Sequence, residues 1–341
     1  MNTTFSEGWW PVVPSHYLGK GKILSFIIHG LPIVIFRSNI GEISCLPDRC
    51  PHRSAPLSLG KVIDDEIQCP YHGWQFNKHG NCTKVPGLDN PCASKTLIKP
   101  INTREDFGFI WVSLSENKKL NPPPQPLLGE NKMDVFFMHD KVECDLVDAL
   151  ENFLDGFHTH FVHSGWIRHA NKRQTVLAKI KNIANGVEVH YLGESLQSGL
   201  ISRLFEKDRG VSVGRFKLPN FAELEYRDKS GNIQLVVSTW FTPIDKSKLL
   251  INARIATSRG ITPAFVKKTV LKRLFQIILN QDKAILEQTK KNLNLFKAHI
   301  NQIELLENLN TSNDLIGPYL RKLLDSNNAE SLPDKEVLIR I

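Results

Sequence analysis

The sequence predicts an α+β chain in two parts: an N-terminal all-β domain, then a domain of strands and a long C-terminal helix. Three observations carry that reading. Short Ile/Val/Phe runs separated by turn residues fill the stretch from Ile23 to Leu114. A proline-rich break, N-P-P-P-Q-P, follows at residues 121–126. Beyond it come strand-like runs and then helical periodicity from Pro263 to Leu309. Consecutive prolines stiffen the chain and remove backbone donors, which stops both helix and central strand. The domains are therefore expected at 1–120 and 121–341.

Each element has its own local reason. Ile23–Ile28 and Ile33–Phe36 flank H-G-L-P, a hairpin pattern. Turn residues recur at Ser38-Asn39, at Asn77-Lys78-His79-Gly80 and at Pro86-Gly87, and Phe107–Leu114 (F-G-F-I-W-V-S-L) reads as a last strand. After the break, Asp148–His163 is expected to be helical. Strands are expected at Gly186–Leu192, Phe221–Arg227, Ile233–Phe241 and Leu249–Ala256. The stretch from Pro263 to Leu309 is long enough for two helices, and this order of elements is α+β.

Composition excludes several classes. With 341 residues, 41% of them hydrophobic and 23% charged, the chain has the balance of a globular protein and can bury a core. Its 21 Gly and 19 Pro show no period, which excludes collagen-like and repeat architectures. The net charge of +8 comes from 43 basic against 35 acidic residues. The basic residues are scattered apart from groups such as Lys267-Lys268 with Lys272-Arg273, so no nucleic-acid-binding arm is formed. An acidic protein partner fits the sign. The most apolar run, Ile23–Phe36, is interrupted by His29-Gly30 and Pro32 and falls short of the ~20 residues of a membrane span. M-N-T-T-F-S-E-G-W-W lacks the basic and apolar regions of an export signal. Six cysteines in this length make no disulfide scaffold, so a cytoplasmic location is expected, where Cys clustered with His points to metal.

Residues 50–74 read C-P-H-R-S-A-P-L-S-L-G-K-V-I-D-D-E-I-Q-C-P-Y-H-G-W. Two short pairs of strong ligands stand out: Cys50 with His52, and Cys69 with His72. A structural zinc site can use two Cys and two His. A Rieske-type 2Fe–2S cluster uses two Cys on one iron and two His on the other. Zinc fingers usually pair Cys with Cys and His with His, whereas here each loop supplies one of each. The loops C-x-H and C-x-x-H, with P-H-R and Y-H-G-W around them, resemble those of Rieske proteins. High-potential Rieske members carry an extra Cys in each loop; Ala55 and Tyr71 stand at the matching positions, and Trp74 replaces a serine that would hydrogen-bond a sulfide. The resemblance is thus to the lower-potential, oxygenase type. Cys45, Cys82, Cys92 and Cys144 are then expected to be reduced thiols.

The second constellation is E-N-F-L-D-G-F-H-T-H-F-V-H, residues 151–163. A non-haem Fe(II) oxygenase needs two His and a carboxylate on one face of the metal. On an ideal helix, His160 and His163 would share a face, whereas His158 and His163 would diverge by about 140°. Spacing alone does not choose between them. Asp155 lies three residues before His158, close enough on a helical turn to orient it. Further on, Leu271, Phe275, Ile278, Leu279, Asp282, Ile285 and Leu286 follow helical spacing, so Asp282 falls on an apolar stripe, where a bare carboxylate is costly and a metal removes the cost. Glu287 is the alternative carboxylate.

N-x-x-D-x-x-H-x-x-x-x-H, on Asn152, Asp155, His158 and His163, resembles the iron motif of the catalytic subunits of Rieske non-haem iron oxygenases. Q-D-K-A-I-L-E-Q resembles that family's E-D-x-x-x-x-E-x-Q segment, with Gln281 replacing the first Glu and Thr289 the closing Gln. The resemblance implies iron ligands His158, His163 and Asp282, with His160 outside the motif and Asn152 near the iron. It also implies a helix-grip catalytic domain, an antiparallel sheet around a long helix. The likeness is strongest to vanillate demethylase and dicamba monooxygenase-type enzymes, which implies a homotrimer with each Rieske domain abutting its neighbour's mononuclear site. Asp155 would then bridge His72 of one subunit to His158 of the next.

The implied activity is O₂-dependent hydroxylation or oxidative demethylation of a small organic substrate. An NAD(P)H-dependent reductase, directly or through a ferredoxin, would supply the electrons. Phe205, Phe216, Leu218, Phe221, Trp240 and Phe241 are apolar candidates for a pocket, with core packing the simpler role for most. Three alternatives stay open at this point: an aromatic-ring cis-dihydroxylating dioxygenase, a Rieske electron carrier with an inactive second domain, and a zinc-binding interaction module.

Overall fold

Two units make up the chain, one of residues 1–123 with 242–246, the other of 124–241 with 247–341. The structure is a computed structural model, described here for residues 8–88, 96–116, 123–127, 133–169, 171–194, 199–200, 209–260, 263–299, 309–311, 313–325 and 333–341.

The first unit is all β, because its apolar runs are only long enough for short strands. β1 (Trp10–Pro14), β9 (Asn102–Asp106) and β10 (Phe109–Ser113) form a sheet in the order β1-β10-β9. β2 (Ile23–Ile28), β3 (Leu31–Arg37) and β4 (Ile43–Pro47) form an antiparallel meander. The hairpin expected from H-G-L-P is its first turn, with His29 and Gly30 both at positive φ. A third sheet follows the order β5 (Lys61–Ile63), β6 (Glu66–Gln68), β7 (Gln75–Phe76), β8 (Cys82–Lys84). Val34, Phe36, Leu46, Leu57, Ile67 and Phe76 pack into one core together with Cys50 and Cys69. The residues that carry the loop chemistry are thus anchored at their cysteine ends. Segment 242–246 belongs to this unit: His29 and Gly30 donate N–H bonds to the carbonyls of Pro243 (2.9 Å) and Ile244 (2.7 Å).

In the second unit an eight-stranded sheet runs β11-β17-β16-β15-β14-β13-β12-β18. The strands are β11 (Met133–Val142), β12 (Thr175–Ile183), β13 (Gly186–Leu192), β14 (Arg209–Lys217), β15 (Phe221–Asp228), β16 (Ile233–Pro243), β17 (Leu249–Ser258) and β18 (Lys335–Arg340). The four strands expected from sequence are all present, β13 with the expected bounds and the other three longer by one or two residues at the C-terminal end. Among the described residues three helices accompany the sheet: α1 (Leu146–Leu154), α2 (Ala264–Ala298) and α3 (Gly317–Asp325). α2 is one helix of 35 residues, and 300–308 lie outside the described residues. Its Leu271, Phe275 and Leu279 pack on Phe136, Met138, Leu235, Val237 and Ile255 of the sheet. Only Leu271 of α2 is fully buried, so the sheet grips one stripe of the helix. Among the described residues, no helix is long and apolar enough to cross a membrane.

The helix expected over Asp148–His163 is shorter than its sequence suggested. α1 stops at Leu154 because Asp155 turns to extended backbone (φ −77°, ψ 129°). A single 3-10 turn, His158–His160, follows.

Candidate metal centres and their cavity

In the first unit the two ligand loops have the same closed shape. Cys50 N–H donates to the Ala55 carbonyl (2.8 Å) and Ser54 N–H to the Cys50 carbonyl (2.9 Å). Cys69 N–H likewise donates to the Trp74 carbonyl (2.8 Å) and Gly73 N–H to the Cys69 carbonyl (3.2 Å). Each turn needs a positive φ at its fifth residue, Ser54 (φ 60°) in one loop and Gly73 (φ 74°) in the other. Ser54 is held there by Arg49, whose Nε–H donates to its hydroxyl at 3.0 Å.

These loops bring all four sequence-predicted residues together. Cys50 and Cys69 are buried side by side, whereas His52 and His72 are exposed with ring centroids 4.6 Å apart. Burial pushes the Cys50 thiol above its ordinary range, and the adjacent Cys69 pushes the same way. Neighbouring buried thiolates need a cation, and two thiols at the base with two imidazoles at the tip are the donor division of a Rieske 2Fe–2S cluster. The residues present fit that group. Trp74 stacks on His52 (4.8 Å, 7° between planes) and Tyr71 lies 3.8 Å from His72. Both imidazoles are thus flanked by aromatic rings, a role that their loop positions alone did not suggest. Among the described residues Cys45, Cys82 and Cys144 form no disulfide, and Cys92 lies outside them.

The second centre is built where α1 ends. The Asp155 carboxylate accepts the Phe157 N–H (2.8 Å) and the His158 N–H (3.0 Å), capping the 3-10 turn. That turn replaces helical spacing and lets residues five apart converge: the His158 and His163 rings lie 5.1 Å apart. Asp282, on the buried side of α2, completes the group. Its Oδ1 is 3.0 Å from His163 Nε2 and 3.5 Å from His158 Nε2, and one ligand atom of each residue lies within 4.8 Å of the others. On the far side of each ring, His163 Nδ1–H donates to Gln281 Oε1 (2.9 Å) and His158 Nδ1 stands 3.4 Å from Asp155 Oδ2.

This group also fits its expected metal. Two imidazoles and a carboxylate converge on one point, the pattern of a non-haem Fe(II) triad. The buried atoms His158 Nδ1 and Asp282 Oδ1 have no well-formed hydrogen bond among the described residues. Burial opposes charge on His158, yet Asp155 and Asp282 outweigh it and raise its pKa to about 9. The site therefore favours a cation. His160, the alternative from helix geometry, is buried elsewhere and donates its Nδ1–H to the His169 carbonyl at 3.0 Å. Glu287, the alternative carboxylate, accepts the Glu143 N–H at 3.3 Å and stands outside the group.

All three convergent residues line one cavity, together with Asn152 and Asp155. It holds about 1440 Å³ of open space, its mouth included, and its walls are largely apolar, with Phe153, Leu224, Val237, Phe241, Phe275 and Leu279 among them. Of the apolar candidates from sequence, Phe241 lines this cavity. Phe216, Phe221 and Trp240 are buried core, Leu218 packs against the core, and Phe205 is outside the described residues. Arg168 and Arg209 line another part, both paired with buried Glu194.

An all-β unit with a Cys₂His₂ loop pair, followed by an antiparallel-sheet unit with a His₂Asp triad, defines the class of a two-centre iron oxygenase. Residues 8–102 match the Rieske 2Fe–2S domain and residues 142–327 the vanillate O-demethylase oxygenase C-terminal domain; the chain belongs to the Rieske oxygenases with that C-terminal domain. It is 36% identical over 170 residues to chloroplastic chlorophyllide a oxygenase of Chlamydomonas reinhardtii, spanning 46% of this chain and 25% of that one. It is 27% identical over 342 residues to the chloroplastic protein TIC 55 of Arabidopsis thaliana, spanning 94% of this chain and 59% of that one. The chain therefore matches only part of the length of these curated relatives. The crystal structure of dicamba monooxygenase bound to dicamba superposes with a TM-score of 0.81 at 20% identity, over 95% of this chain and 97% of that one.

Proposed function

We propose that this chain is the catalytic subunit of an oxygenase that hydroxylates or oxidatively demethylates a small, hydrophobic or aromatic organic substrate. The observation that carries the reading is the convergence of His158, His163 and Asp282 on an apolar cavity. In this reading Cys50, His52, Cys69 and His72 hold the 2Fe–2S cluster in domain 1–120, and the triad holds Fe(II) in domain 121–341. When bound, these groups supply one-electron transfer and O₂ activation.

The chain's own residues do the rest. Gln281 holds the outer nitrogen of His163 by a hydrogen bond and the Asp155 carboxylate faces that of His158, which keeps both Nε2 atoms turned inward. Apolar walls exclude water and seat the substrate's hydrocarbon part beside the triad. His72 is exposed at the tip of its unit, which suits electron entry and the head-to-tail trimer in which Asp155 receives a neighbour's His72. The electron donor is an NAD(P)H-dependent reductase or a ferredoxin. A cytoplasmic setting supplies that reducing power, as does the plastid that names both curated relatives.

For a methyl ether the balance is R–O–CH₃ + O₂ + 2e⁻ + 2H⁺ → R–OH + HCHO + H₂O. Screening aromatic methyl ethers and N-methyl heterocycles with a reductase, while following O₂ uptake and formaldehyde, tests the reading. One formaldehyde per O₂ supports demethylation. Vicinal diol products would instead support the dioxygenase alternative, and electron transfer without O₂ uptake the electron-carrier one.

A further inference from the structure

Two buried polar side chains at one end of the large sheet serve neither the fold's hydrogen bonding nor the metal donor set. Thr239 of β16 lines the cavity, is buried, and its hydroxyl has no hydrogen-bond partner among the described residues. Asn220, just before β15, is fully buried, and neither its amide oxygen nor its amide nitrogen has a partner among the described residues.

The strand register puts them one diagonal step apart, with Thr239 on the cavity lining and Asn220 not among its lining residues. Ala222 pairs with Thr239 and Phe221 with Trp240. Phe241 N–H donates to the Asn220 carbonyl at 3.0 Å, so Asn220 stands opposite Phe241, two positions along β16 from Thr239. Thr239 and Phe241 both line the cavity. Burying an unpaired hydroxyl or amide costs free energy, so such groups mark places where a partner is expected. The other buried, unpartnered atoms on the cavity lining are His158 Nδ1 and Asp282 Oδ1, both in the iron triad. Thr239 is left over.

We infer that Thr239 recognises one neutral oxygen group, a phenol hydroxyl or a ring carbonyl, on an otherwise apolar substrate. A hydroxyl both donates and accepts, and carries no charge that would select a carboxylate or an ammonium. An apolar cavity discriminates weakly among hydrocarbons, whereas a buried polar group rejects an analogue that cannot bond to it. The inference rests on the reading of this cavity as the substrate site.

The test compares 2-naphthol with naphthalene by equilibrium binding to the anaerobic, iron-loaded, oxidised protein. Hydrophobic transfer alone favours naphthalene, so a preference for naphthol has to come from a polar contact. Wild type is expected to bind 2-naphthol about 10-fold tighter. Thr239→Val, which keeps the shape, should retain naphthalene affinity and lose that preference. An unchanged preference in Thr239→Val overturns the inference. So does a wild type with no preference, the outcome if this hydroxyl holds only water. Iron and sulfide are counted in the same samples. A naphthol preference lost in Thr239→Val supports the inference even if mononuclear iron is absent, and that absence faults the oxygenase reading alone.

Discussion

His163 and Gln281 are joined by a hydrogen bond of 2.9 Å from the imidazole Nδ1–H to the amide Oε1. The next residue along α2, Asp282, meets the opposite nitrogen of the same ring at 3.0 Å. Two consecutive helix residues thus grip both sides of one histidine. Gln281→Leu should lower iron affinity at the mononuclear site roughly 10–100-fold, with Gln281→Glu, which keeps an acceptor, closer to wild type. Chelator competition against added Fe(II) measures this. Equal affinity in all three proteins would remove the positioning role of Gln281.

Asp155 has a second duty besides facing His158: it caps the turn through the N–H groups of Phe157 and His158. Asparagine keeps an acceptor for that cap but loses the negative charge. Asp155→Asn should therefore keep both metal centres while turnover falls on the order of 100-fold. Metal analysis with single-turnover kinetics checks it, and wild-type turnover would sink the assignment of Asp155 to electron transfer.

How much of this was legible in the sequence depends on how local each feature is. Both cluster loops could be read because the donors in each lie only two or three positions apart. His158 and His163 could be found only by resemblance. The helix geometry that favours His160 fails because Asp155 ends α1 and a 3-10 turn follows. Gln281 was visible only as a departure from the family's segment, since its bond to His163 crosses 118 positions in sequence. β18 gave no periodic signal of its own; it is a strand because it completes the sheet edge beside β12. Among the aromatic residues, sequence could not separate Phe241, which lines the cavity, from Trp240, which points into the core.

Glu194 sits buried between Arg168 and Arg209, 2.8 Å from the latter. Removing a buried carboxylate leaves guanidinium charge without its counter-ion. Glu194→Ala should destabilise the protein by about 3 kcal/mol in denaturant unfolding. A change below about 0.5 kcal/mol, the range of neutral surface substitutions, would contradict that reading.

His29 packs edge-on against Trp10, with ring centroids 4.5 Å apart, and burial lowers its pKa from 6.5 to about 4. The folded protein thus keeps this ring neutral where the unfolded chain would protonate it. Its contribution to stability is complete above pH 6.5 and is lost as pH falls from 6.5 towards 4. His29→Gln should lose less unfolding free energy between pH 7 and pH 5 than wild type does. Identical losses would show that other groups set the acid sensitivity.

The most direct test of the two-centre account is the amount of iron, zinc and acid-labile sulfide per chain in anaerobically purified protein, wild type beside His163→Ala. The account predicts about three iron and two sulfides in wild type. It predicts about two of each in the variant, with the visible spectrum of the cluster unchanged. Zinc without sulfide, or full iron retention in His163→Ala, would contradict it.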